Sequence, residues 1–137
     1  MVLGLKLVKT LQGTAGRDPL AGTPGDDELI GGEAADTLTG GAGRDAFVLR
    51  SLRDAADLVT DFVPGQDRVD LAAVLAQIGV APAQAIGRGV LRVVDTASGA
   101  AIQIDTDGSA GPLAARTLLT LRGLSASQIQ PARDLGL

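Results

Sequence analysis

Residues 13–48 read GTAGRDPLA, GTPGDDELI, GGEAADTLT and GGAGRDAFV, four nine-residue units laid end to end without a gap. Each opens on glycine (Gly13, Gly22, Gly31, Gly40), carries aspartate sixth (Asp18, Asp27, Asp36, Asp45) and a large apolar residue eighth (Leu20, Leu29, Leu38, Phe47). The first six positions have the composition of a turn, because glycine alone reaches positive φ cheaply and presents no Cβ to a neighbouring backbone. The last three are long enough only for a short strand whose middle side chain points inward. Such a strand needs copies of itself to pack against. Turn, strand, turn and strand complete one coil in eighteen residues, so units one and three share one edge and units two and four the other. Asp18 then falls over Asp36, and Asp27 over Asp45. A linker of solvated turns would not keep an apolar residue at every eighth position.

Stacked carboxylates repel, and one of each pair must take up a proton unless a cation sits between them. Calcium suits the place, since it accepts six to eight oxygens at flexible geometry, whereas magnesium demands a tighter octahedron and keeps its waters. The candidate ligands are the pairs Asp18 with Asp36 and Asp27 with Asp45. Turn carbonyls join them, at Gly13, Gly16, Gly22, Gly25, Gly31, Gly40 and Gly43. Composition agrees: the chain has fourteen aspartates and two glutamates but neither histidine nor cysteine. That excludes disulfides, thiolate chemistry, most zinc and copper sites and the commonest general base. No nucleophile and base pair up, so no enzyme is expected. Phe47 and Phe62 are the only aromatics, which favours thin layers of stacked aliphatic side chains. The net charge of −4 and the absence of a basic stripe argue against nucleic acid as partner.

The units resemble the calcium-binding nonapeptide G-G-x-G-x-D-x-U-x of RTX proteins. The resemblance implies an all-β chain: a calcium-stacked parallel β-roll, similar to a right-handed β-helix, holding several calcium ions. Three departures stand out. Thr14 and Thr23 replace the second glycine, Ala34 replaces the fourth-position glycine of unit three, and Pro19 follows Asp18. Ala34 must adopt a backbone conformation that alanine dislikes, so the Asp18/Asp36 site is expected to be weaker than the Asp27/Asp45 site. Counting back by nine puts Gly4 first, Leu11 eighth and Lys9 where an aspartate should be. Residues 1–12 thus read as a metal-free half-turn that begins the stack. They do not read as a signal peptide, because Lys6 and Lys9 interrupt the apolar run and no small-residue cleavage site follows. No stretch is long enough for a membrane span. The roll is expected over residues 1–50, with a cap over 51–137 packed onto it as one unit.

Beyond the repeats, residues 57–71 are similar to the D-x-I-x-D-F-x-x-G-x-D-x-I-D-L segment that follows the last repeat in type I secreted RTX proteins. The resemblance implies that Asp61 and Asp67, and after them Asp57, complete the last calcium sites. Leu58, Thr60 and Phe62 alternate as a strand would, Pro64-Gly65 suits a turn and Val69 a second short strand. Asp70 is read as the N-cap of a short helix with Leu71, Val74, Leu75 and Ile78 on one face. Residues 80–88 read as a loop, 90–95 and 101–105 as a hairpin, and 117–121 as a further strand. Asp105, Asp107 and Gly108 read as a turn, because the acidic twelfth position of an EF-hand loop is missing. Ser125 and Gln128 form a capping-box pattern before Pro131. This hairpin-rich part is expected to cover the open strand edge of the roll.

RTX proteins of this type leave the bacterial cell by the type I route, through an ABC transporter, its adaptor and an outer-membrane channel. The export signal is uncleaved and lies at the carboxyl end. Asp134-Leu135-Gly136-Leu137 matches its acidic-then-apolar character. The resemblance therefore implies a secreted module, the carboxyl-terminal part of a larger protein, that folds on calcium outside the cell. A second implied reading is an accessory module of a carbohydrate-active enzyme such as a mannuronan epimerase. Its ligand would be an anionic polysaccharide or a cell surface, met by Arg50, Arg53, Arg68, Arg88, Arg92, Arg116 and Arg122.

Overall fold

A computed structural model describes residues 9–51, 56–106 and 115–137. Four short strands, β1 (Lys9–Gln12), β3 (Asp27–Ile30), β5 (Ala46–Val48) and β7 (Arg68–Asp70), pair in parallel as one sheet in the order β1-β3-β5-β7. The facing sheet begins with β2 (Pro19–Ala21), β4 (Thr37–Thr39) and β6 (Asp57–Val59), also parallel. Strands alternate between the two sheets along the chain, so each turn carries it from one to the other. The chain is a β-roll, and its parallel pairing continues past the four repeats through β6 and β7.

Register shows why the eighth position must be apolar. Leu11, Leu29, Phe47 and Val69 stand opposite one another down the first sheet. Leu20, Leu38, Val59 and Leu121 do so down the second. These two columns face each other and form the interior of the roll. Leu29, Phe47, Val59 and Leu121 are fully buried, whereas Leu11 and Leu20 in the first coil are only partly so. Phe47 also meets Phe62, with ring centroids 6.1 Å apart and tilted by 46°, a favourable aromatic geometry. Val59, not Leu58, occupies the column. The alternation expected through Leu58, Thr60 and Phe62 is therefore out of phase by one, because Asp57 takes the sixth-position place and puts Val59 eighth.

The cap continues the second sheet instead of lying across it. Strands β8 (Leu91–Asp95), β9 (Gly99–Ile104) and β10 (Arg116–Arg122) form an antiparallel meander with a bulge between Thr117 and Leu119. β10 then pairs in parallel with β6, extending the sheet to β2-β4-β6-β10-β9-β8 and covering the edge of the roll. Gly99 lies so close to the Leu121 carbonyl that a Cβ would have no room. Helix α1 (Ala72–Gln77) closes the end of the roll with Leu71, Val74 and Leu75 buried. Its N-cap is Leu71, and Asp70 sits one residue earlier, where its Oδ1 accepts the Ala72 N–H at 3.0 Å. The expected loop over residues 80–88 includes a 3₁₀ turn, Pro82–Gln84. Ser125 donates its N–H to Gln128 Oε1 at 2.8 Å around a second such turn, Ala126–Gln128. Asp105 is buried and paired with Arg92 at 3.2 Å, while Asp107 and Gly108 fall outside the described residues. No helix among the described residues is long and apolar enough to cross a membrane.

The chain ends in α2 (Pro131–Asp134), which is docked on the roll. Asp134 is fully buried. Its Oδ1 accepts the Gly65 N–H at 2.9 Å and the Arg133 Nε–H at 2.8 Å, while Oδ2 accepts the Gln130 N–H at 2.8 Å and Arg133 Nη2 at 3.0 Å. Burial alone would raise the carboxyl, but the Arg133 guanidinium and the two backbone N–H groups outweigh it and hold Asp134 below its ordinary range.

Two predictions follow from these contacts. Ala34 sits at φ 71°, the only positive φ outside glycine among the described residues. Ala34→Gly is expected to raise unfolding stability in saturating calcium by about 1 kcal/mol, and Gly43→Ala at φ 90° to lower it by more, read from urea midpoints. Asp134→Asn is expected to cost about 2–4 kcal/mol at pH 7. Because the folded carboxyl lies below its unfolded value, the ionised group's contribution is present above about pH 4 and lost as pH falls through the lower folded value. The gap between wild type and variant in thermal melts should accordingly narrow below about pH 4.

Candidate metal centre

The sixth-position aspartates form two columns along the edges of the roll. On one edge the Asp18 N–H donates to Asp36 Oδ1 at 2.7 Å and the Asp36 N–H to Asp57 Oδ1 at 2.9 Å. On the other the Asp27 N–H donates to Asp45 Oδ1 at 2.9 Å and the Asp45 N–H to Asp67 Oδ1 at 2.9 Å. The paired residues are 18 apart within the repeats and 21 or 22 apart beyond them, so the inserted residues are absorbed outside the columns. Asp27, Asp36, Asp45, Asp57 and Asp67 are buried, and Asp18, in the outermost coil, is half-buried.

Three of these carboxylates also accept an N–H from their own turn. Asp18 Oδ2 accepts the Thr14 N–H at 2.6 Å, Asp27 Oδ2 the Thr23 N–H at 2.7 Å, and Asp67 Oδ2 the Val63 N–H at 2.9 Å. Unit four breaks the pattern. There the Gly41 N–H donates to Asp61 Oδ2 at 2.8 Å and the Gly40 N–H to Asp61 Oδ1 at 2.9 Å. Asp61 thus takes the donor that would otherwise serve Asp45, and Asp45 Oδ2 is left buried without a hydrogen-bond partner. A buried carboxylate oxygen in that state is costly. Burial, with the Asp67, Asp27 and Asp61 carboxylates adding to it and the Asp27 N–H opposing it, pushes the Asp45 carboxyl up to about 7. Burial likewise raises Asp67, against the Asp45 and Val63 N–H groups and with Asp61 adding repulsion.

The glycines divide into two sets. A Cβ on Gly13, Gly22, Gly31 or Gly40 would strike Asp18, Asp27, Asp36 or Asp45 Oδ2 of the same unit. The first two would strike the Gly31 and Gly40 carbonyls as well. Gly43 presses on the Gly25 carbonyl, and its own carbonyl accepts Gln66 Nε2 at 2.7 Å. Gly16 and Gly25 are not crowded in this way, and their N–H groups donate to Thr14 and Thr23 Oγ1. Of the three aspartates expected beyond the repeats, Asp57 and Asp67 continue the columns, while Asp61 braces the fourth-unit turn. Spacing alone does not separate them, because each begins an Asp-x-apolar triplet. No three acidic side chains converge among the described residues as a metal cluster would. A cation here would draw on carboxylate pairs and the packed turn carbonyls together, an all-oxygen set that suits calcium. Among the residues present, Asp45 with its orphaned oxygen fits that role best.

Comparison with known proteins agrees with this geometry. The profile of the RTX calcium-binding nonapeptide repeat matches residues 12–47 in four copies. No curated protein matches the sequence. Among solved structures, the chain is similar to the solution structure of the AlgE6R3 subunit from the Azotobacter vinelandii mannuronan C5-epimerase. The TM-score is 0.58 at 24% identity, over 89% of this chain and 79% of that one, a likeness of fold. The four units that build the roll match the RTX calcium-binding nonapeptide repeat, and the likeness to the epimerase subunit is one of fold.

Proposed function

We infer that this chain is a calcium-dependent folding module of a secreted protein, exported by the type I route through a carboxyl-terminal signal. One observation carries the reading: Asp45 is buried, raised to about 7 and short of one hydrogen-bond partner inside a column of carboxylates. Bound calcium supplies positive charge at such oxygens. The chain's own residues do the rest: Asp61 clears the Asp45 oxygen, the glycines let the turn carbonyls close in, and the leucine columns gain their partners only when the coils stack.

The direction of export fits the same physics. Where calcium is scarce the columns repel and the thin core cannot offset chain entropy, so the chain stays open enough to thread a channel. Extracellular sites with Kd on the order of 10⁻⁴–10⁻³ M fill outside the cell, and a site held at about ten times its Kd adds about 1.4 kcal/mol of folding stability. Asp134 and Leu135 are buried in the folded chain. A transporter would therefore read that end before folding, and folding would withdraw it.

The fold likeness to an epimerase subunit favours a second reading, an accessory module for an anionic polysaccharide. Of the described arginines, Arg68 opens β7 in one sheet, while Arg92, Arg116 and Arg122 lie on β8 and β10 of the other; Arg53 lies outside the described residues. Retention on an alginate gel that is abolished by Arg116→Ser with Arg122→Ser would establish this reading; free passage would exclude it.

Two measurements test the first reading. A calcium isotherm should show several ions bound with cooperative gain of β signal, and Asp45→Asn should weaken the tightest site about tenfold or more. A full β signal in chelator, unmoved by calcium, would contradict it. In saturating calcium, carboxypeptidase should spare residues beyond Asp134 and in chelator remove them; equal digestion in both would separate burial of the tail from calcium binding.

A further inference from the structure

The two turns of the first coil are built differently from the two that follow. In units three and four the second residue is Gly32 at φ 87° or Gly41 at φ 84°, and the fourth is Ala34 at 71° or Gly43 at 90°. In units one and two the second residue is Thr14 or Thr23, and neither these nor Gly16 and Gly25 adopt positive φ. A hydroxyl organises these turns instead. Thr14 Oγ1 accepts the Gly16 N–H at 3.1 Å, and Thr23 Oγ1 the Gly25 N–H at 3.2 Å. The same hydroxyls donate to the carboxylates four residues on. Thr14 Oγ1 lies 3.0 and 3.2 Å from the Asp18 oxygens, and Thr23 Oγ1 2.9 and 3.2 Å from those of Asp27.

A hydroxyl offers one proton and accepts at its lone pairs, so each threonine completes the carboxylate and the turn at once. In unit four Gly41 stands at the threonine's place and offers no hydroxyl. There the Asp45 Oδ2 is buried and has no partner. The contrast between Asp27 and Asp45, neighbours in one column, thus has two parts: Thr23 gives Asp27 both its N–H and its hydroxyl, whereas the Gly41 N–H goes to Asp61 and no hydroxyl stands in for it.

We propose that Thr14 and Thr23 take the place of a divalent cation in the first coil, so that cations are confined to turns whose second residue is glycine. The inference rests on the calcium reading above and assigns the sites within it. The outer coil, whose Asp18 is half-buried and partly solvated, folds with the rest of the roll without an ion of its own.

The test uses the full chain and calcium alone as ligand, read by titration calorimetry and by the calcium midpoint of folding in circular dichroism. Thr14→Gly with Thr23→Gly restores glycine and should bind at least about one more ion per chain than wild type. Thr14→Val with Thr23→Val keeps the shape and deletes the hydroxyls. It should raise the calcium midpoint about tenfold or more without adding an ion, because two hydrogen bonds to charged groups are lost. Thr14→Ser with Thr23→Ser keeps the hydroxyls and should track wild type, which keeps the test alive should the valine pair fail to fold. Wild-type calcium binding with unchanged stoichiometry in the glycine pair, or a serine pair that behaves as the glycine pair does, overturns this proposal alone. Absence of binding by wild type overturns the calcium reading itself.

Discussion

Everything in this structure hangs on one repeated hydrogen bond, in which the N–H of an aspartate in one coil donates to the Oδ1 of the aspartate in the next. The bond fixes the register of both sheets, because an aspartate held over an aspartate puts the residue two places on over its counterpart. Leucine then meets leucine, and the interior columns follow. It also explains the glycines that open each unit. A carboxylate folded back over its own turn leaves no space for a Cβ there.

The same bond sets the electrostatic problem. Coils one strand spacing apart, about 4.8 Å, bring like charges to where they repel by about 3 kcal/mol per pair at an effective dielectric of about 20. A backbone N–H donated to a carboxylate returns about 1.5–3 kcal/mol, enough to offset the repulsion where every oxygen has a donor. Asp18 and Asp27 meet that condition through threonine. Asp45 does not, because Asp61 holds both N–H groups at the head of its turn. The roll is thus balanced in its first coil and unbalanced in its second.

Much of this was legible in the nonapeptides themselves. Glycine first, aspartate sixth and an apolar residue eighth led to the short strands and the two-coil stacking, and Leu11, eighth by the backward count, stands opposite Leu29. The strain at Ala34 followed from the one missing glycine. What lay hidden depended on distant partners. Asp57, Asp61 and Asp67 share the same local triplet, and only the inserted loop decides which two fall into register. The phase of Leu58 and Val59 was misread for the same reason. β10 pairs with β6 across some sixty residues of chain, and no local pattern announces a parallel partner so far away. Nor does Asp134 look different in sequence from any solvated terminal acid, since its burial depends on the turn at Gly65.

That turn joins the two halves of the account. Its Asp67 continues one carboxylate column, and its Gly65 N–H holds the buried Asp134, so ordering the last coil also seats the chain end. The central claim, that the columns beyond the first coil close only around a cation, is tested most directly by amide hydrogen exchange at Asp36 and Asp45, whose N–H groups donate within that part of the columns. The account predicts slow exchange at both in saturating calcium and rapid exchange in chelator. Equal protection in the two conditions would contradict it.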